Sequence, residues 1–131
     1  MDTLELISYI ASIIAVPLAL YVYLASKLRE KRVFTFTRVN MIFEAYDELT
    51  KDKRKPEYME LTRFIRRIDR FAAEYNERVL NRRIVKQRIG KFLIREYENG
   101  WKAVIAERRE CVKRPDYFCG IEKMIESLKK R

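Results

Sequence analysis

The chain has 131 residues with 29 Lys and Arg against 19 Asp and Glu, a formal net charge of +10, and no histidine. That inventory removes the commonest general base and metal ligand, and three glycines scattered at 90, 100 and 120 do not build a phosphate-cradling loop. Three prolines, few glycines and an abundance of Leu, Ile, Glu, Lys and Arg favour helices over sheets, with length for one small domain besides any membrane segment.

The first element is an uncharged run from Leu6 to Ala25, 20 residues long. As a helix rising ~1.5 Å per residue it covers ~30 Å, the thickness of a bilayer's hydrocarbon core. Asp2 and Glu5 precede the run, whereas Lys27, Arg29, Lys31 and Arg32 follow it directly. Lys and Arg close to a span stay on the cytoplasmic side. The expected arrangement is a single-pass anchor in the cell inner membrane, N-terminus outside and the remainder cytoplasmic. Tyr9 at one end and Tyr21 and Tyr23 at the other suit the interfacial belts. A cleaved signal peptide is the competing explanation, but it calls for a basic start and a shorter apolar core, and here the start is acidic.

Within the run, Ala11, Ala15 and Ala19 recur at every fourth position, with Ser8 and Ser12 beside them. Small residues at this spacing let two helix backbones approach in lipid, which predicts a homo-oligomer; simple tolerance of small residues in a lipid-facing helix is the alternative. Pro17 removes a backbone donor and frees the carbonyl of Ile13, predicting a mild kink.

The expected organisation is a transmembrane anchor over 1–26, a basic juxtamembrane linker over 27–36 and a cytoplasmic helical domain over 37–131. Nothing in Lys27-Leu28-Arg29-Glu30-Lys31-Arg32 breaks a helix, so the linker can equally continue the span. Beyond Ser26 lie all 29 basic residues and 17 of the 19 acids, a surplus of twelve positive charges. Val39, Ile42, Phe43, Tyr46 and Leu49 predict a helix over 37–51. The run Lys51-Asp52-Lys53-Arg54-Lys55-Pro56 reads as a solvated loop, with Pro56 in the first turn of the next helix.

That helix, over 57–80, places Leu61, Phe64, Ile65, Ile68, Phe71, Ala72, Tyr75 and Val79 on one face and Arg63, Arg66, Arg67, Arg70 and Arg78 on the other. Asn81 is the expected N-cap of a helix over 82–110, which buries Val85, Ile89, Phe92, Leu93, Tyr97 and Val104. A close helix crossing would account for Gly90, and Trp101 is expected over the end of a neighbour. Pro115 ends the segment, and Phe118, Ile121, Met124, Ile125 and Leu128 define a last helix. The fold class is therefore all-α: one N-terminal transmembrane helix and a bundle of about four helices.

The stretch Arg63-Phe64-Ile65 through Asp69-Arg70-Phe71-Ala72, then Val79-Leu80-Asn81, then Gly90-Lys91-Phe92-Leu93-Ile94 and Trp101, resembles the domain of unknown function 4760 family. The resemblance covers roughly residues 60 to 128. It implies a short bacterial membrane-anchored protein with a helical cytoplasmic part, and it brings no activity with it. Arg78 stands where a glycine-like helix end is expected in that family.

No Ser, Cys or Thr sits in a nucleophile motif, and the surface carboxylates neighbour Lys or Arg, so no enzyme, catalytic residue or cofactor is expected. Cys111 and Cys119 would be reduced in the cytoplasm, and their spacing without histidine matches no zinc site. The binding feature is basic: ten Lys and Arg against three acids between Arg66 and Arg95. If the third and fourth helices pack antiparallel, Arg78, Arg82, Arg83 and Lys86 gather at their shared turn. With Arg66, Arg67 and Arg70 they form the candidate site for an anionic ligand. That ligand would be a nucleotide signal such as a cyclic oligonucleotide, or RNA, sensed by a defence-type effector; anionic lipid is a further taker of the same charge. A merely solvated basic surface is the competing explanation. The alternative function is an adaptor subunit that docks a larger protein partner at the membrane, with an apolar patch around Val33, Phe34 and Phe36.

Overall fold

The computed structural model of the chain describes residues 2–51 and 57–130, and every regular element among them is helical. The expected basic loop after Lys51 and the placement of Pro56 lie outside the described residues.

Helix α1 runs unbroken over Thr3–Thr50, 48 residues or ~72 Å. The stretch 27–36 expected as a linker is part of it, because it holds no proline or glycine to end a helix. Pro17 lies inside the helix. The N-terminal half packs on nothing among the described residues, and from Leu4 to Leu24 its large apolar side chains are exposed. Only past Lys31 does α1 join the bundle, burying Thr35, Val39 and Ile42 and leaning Phe43, Tyr46 and Leu49 on the core.

Helix α2 covers Tyr58–Asn76 and ends earlier than the pattern predicts. Its last turn closes in a Schellman arrangement: the Val79 N–H donates to the Glu74 carbonyl at 2.9 Å and the Arg78 N–H to the Tyr75 carbonyl at 3.1 Å. Arg78 adopts the left-handed conformation that the motif requires, with φ of 62°. The chain therefore leaves the helix before Val79, which is 44% exposed, and Leu80 takes the buried place instead.

Helix α3 extends over 82–112, beginning with Arg82–Val85 and ending with Lys102–Val112. Asn81 caps it as expected, its side-chain oxygen accepting from the Ile84 N–H at 3.1 Å. Two π-helical turns interrupt it, at Lys86–Gly90 and Tyr97–Trp101. The buried residues Val85, Ile89, Leu93, Tyr97, Trp101 and Ile105 recur at intervals of four. In a pure α-helix each four-residue step advances ~40°, so five steps would carry the stripe ~200° around the axis. Each π turn takes up one extra residue, ~100°, and the two together hold the stripe on the core. This is why Ile105 is buried where Val104 was expected.

After Val112, Lys113 turns left-handed (φ 56°), Pro115 follows, and Phe118 (φ 62°) leads into helix α4, Cys119–Lys129. Helix α4 packs mainly on α2 and also meets α3, while α1 packs on both α2 and the start of α3. The core centres on Ile65, Ile68, Phe71, Leu80, Leu93, Ile121, Met124 and Ile125, each worth about 1.5–3 kcal/mol on burial. Beside them an aromatic cluster joins three helices: Tyr46 on Phe92 at 4.8 Å, Phe64 on Trp101 at 5.5 Å, and Phe43 on Phe92 at 5.4 Å. Trp101 thus sits inside the core rather than over a helix end. Gly90 is not forced by a crossing either, since a methyl there would meet the nearest atoms at 3.7 Å, ordinary contact.

Candidate functional site

The α2–α3 turn, residues 77–81, is held from three directions. The side-chain oxygen of Thr35, fully buried on α1, donates its hydroxyl proton to the Lys31 carbonyl at 2.7 Å and accepts the Asn81 N–H at 2.8 Å. Thr35 thus provides a partner for an amide that would otherwise lie unpaired at the start of α3. Arg82 reaches back with Nε and Nη2 to the carbonyls of Tyr75 and Asn76, each at 3.2 Å, and its guanidinium lies over the Tyr75 ring at 4.7 Å. A cation placed on the last carbonyls of a helix also complements its dipole. A little further along, Arg38 of α1 grips Glu74 of α2 through both carboxylate oxygens, with Nε at 3.1 Å from Oε2. Each of these side chains is less than one-fifth exposed.

The candidate cations divide into two groups. Arg78, Arg82, Arg83 and Lys86 flank the turn; Arg78 and Arg83 are exposed and their side chains make no hydrogen bond or ion pair among the described residues. Arg82 is committed to the end of α2, and the Lys86 ammonium donates to the Lys130 carbonyl. Arg66, Arg67 and Arg70 are exposed on the body of α2, at least eight residues before Arg78, which is ~12 Å along the axis. The seven therefore form a corner and a ridge, not one pocket.

Arg66 belongs with a third set of cations. Burial raises the Tyr117 hydroxyl, but hydrogen bonds from Arg66 and Arg108 outweigh it and hold that hydroxyl below its ordinary range. Arg109 donates from Nε to the Tyr117 carbonyl at 2.7 Å and pairs with Glu122. Arg108 Nε and Arg109 Nη2 are buried with no hydrogen-bond partner among the described residues. No spacing rule joins residues as far apart as Arg38 and Glu74, or Thr35 and Asn81, so periodicity alone did not reveal these contacts.

Cys111 and Cys119 are free, exposed thiols, and among the described residues no three His, Cys, Asp or Glu side chains are placed to hold a metal. No family model, curated protein or solved structure matches the chain. The class that the structure defines is an all-α protein with, among the described residues, one helix near the N-terminus long and apolar enough to cross a membrane.

Proposed function

We propose that the chain is a single-pass, membrane-tethered binding module without enzymatic activity, whose basic α2–α3 corner recognises a soluble phosphate-bearing ligand, a nucleotide signal or short RNA, in an effector of the defence type. The observation that carries the reading is the hydrogen bond from Asn81 to Thr35. It ties the corner bearing Arg78 and Arg83 to the same helix that holds the apolar run, so a ligand on the corner acts directly on the membrane helix. The exposed apolar side chains of α1 between Leu4 and Leu24 support the anchor, and the resemblance to the domain of unknown function 4760 family implies the same topology. The basic flank after Ala25 supports a cytoplasmic bundle at the inner membrane. Homo-oligomerisation through Ala11, Ala15 and Ala19 belongs to the same proposal.

The test is titration of the full chain in neutral detergent with cyclic dinucleotides, mononucleotides and short RNAs. Binding should weaken steeply with salt and be lost in Arg78→Gln/Arg83→Gln; salt-independent binding, or none, overturns the ligand reading. Orientation is tested separately. A reporter active only in the cytoplasm should work after Arg131 and fail before Met1, and neutralising Lys27, Arg29, Lys31 and Arg32 together should scramble that asymmetry.

The adaptor reading also has a specific observation behind it. Val33 and Phe34 are 59% and 41% exposed on α1 and Met41 is exposed further along, whereas Phe36 is half-buried under Arg88. Affinity isolation of the full chain in mild detergent decides it: recovery of self-contacts alone removes the adaptor.

A further inference from the structure

A groove of about 430 Å³ runs along α1 immediately beyond the apolar run, lined by Ala25, Leu28, Arg29, Arg32, Val33 and Phe36. Ala25 is the last residue of the uncharged run, so the groove begins where the hydrocarbon ends and extends ~17 Å outward. Arg29 and Arg32 are exposed and pair with no carboxylate among the described residues. At the far end the Arg88 guanidinium lies over the Phe36 ring at 5.2 Å, adding a third positive charge. The neighbouring lysines do not share this face. Lys27 and Lys31 each stand two residues from Arg29, ~200° around the helix, and Lys27 is paired with Glu30 at 3.5 Å.

We propose that this groove holds one anionic glycerophospholipid from the leaflet on the basic side of the span. Its phosphodiester sits between Arg29 and Arg32, whose planar donors suit a phosphate, and the first methylenes of its acyl chains lie along Ala25 and Leu28 toward the bilayer. A zwitterionic lipid would bring its own ammonium into a site already lined by two guanidinium groups, with a third at its far end, so the charge balance selects an anionic headgroup. A small soluble anion would leave the apolar wall unfilled. The inference rests on α1 spanning the membrane.

The test uses the full chain, extracted in neutral detergent and exposed to phosphatidylglycerol or phosphatidylcholine, with bound lipid counted by native mass spectrometry. One phosphatidylglycerol per chain should be retained at concentrations where phosphatidylcholine is not. Arg29→Gln/Arg32→Gln should weaken that retention by at least ~tenfold. Lys27→Gln/Lys31→Gln removes the same charge from the other side of the helix and should leave retention within about twofold. Equal retention of the two lipids, or equal loss in the two double variants, overturns the site in favour of diffuse attraction. Release of the chain from membranes by an alkaline wash overturns the spanning reading and the groove with it. A chain that stays in the membrane without a lipid preference overturns the groove alone.

Discussion

Thr35 on the long first helix and Asn81 at the start of α3 are joined by a 2.8 Å hydrogen bond between a buried hydroxyl and a backbone amide. Replacing Thr35 with valine keeps the shape and deletes the acceptor, stranding the Asn81 N–H. We expect a loss of about 1–3 kcal/mol, and near-complete recovery in Thr35→Ser. Thermal melts followed by the fluorescence of Trp101, the single, buried tryptophan, provide the measurement. An unchanged midpoint in Thr35→Val would mean that the amide has another partner.

Arg78 holds a left-handed conformation with φ of 62°, which costs a non-glycine residue ~1–2 kcal/mol. Its side chain makes no hydrogen bond or ion pair among the described residues that would offset this. Arg78→Gly should therefore raise the stability of the bundle by about 1 kcal/mol, net of glycine's larger entropy loss. Arg78→Val should lower it. The same melts distinguish the two, and a destabilised glycine variant would mean that the Arg78 side chain contributes to the fold.

The π turns in α3 make a prediction about deletion. Removing Gly100, where a Cβ would meet nothing within 4 Å, converts Tyr97–Trp101 to α-helix and returns the residues after it to the same face. The variant should fold, with Trp101 still buried and its emission still blue-shifted. Deleting Arg67, exposed on the uninterrupted helix α2, rotates everything on one side of it by ~100° and should abolish cooperative melting.

Asp69 faces Gly120 of α4, and burial raises its carboxyl above the ordinary range. The charged form is thus the one that folding disfavours. Below the ordinary carboxylate pKa the group is protonated in both states and no penalty exists; the penalty enters as the pH rises through the raised folded value. Asp69→Asn should melt higher than the parent at pH 7 and match it near pH 3. Equal stabilisation at both pH values would trace the effect to packing instead of charge.

The residues that were easy to read are those whose partners lie on the same helix. The apolar faces of α2 and α4 and the cap at Asn81 follow from spacings within one element. The early end of α2 was harder, because its signal is usually a glycine and here an arginine adopts the glycine conformation. The four-residue interval from Val85 to Ile105 is visible in the chain, but reading it as a buried stripe requires abandoning the 3.6-residue period. For the site, the concentration of cations at the α2–α3 turn was legible in the sequence, whereas the engagement of Arg82 by helix ends and the pairing of Arg38 with Glu74 depend on tertiary approach. Charge type can be counted from the residues; which charges are left over can be counted only once the helices are packed.

The continuity of Thr3–Thr50 means that the apolar half and the bundle share one axle. With no loop between them to absorb torsion, any twist of the apolar half turns Thr35, and with it Asn81 and the basic corner, through the same angle. Chain length in this stretch is accordingly an angular setting: one residue inserted between Ser26 and Arg32 swings the bundle ~100° about the axle while lifting it only ~1.5 Å, and eleven residues, three full turns, restore its bearing.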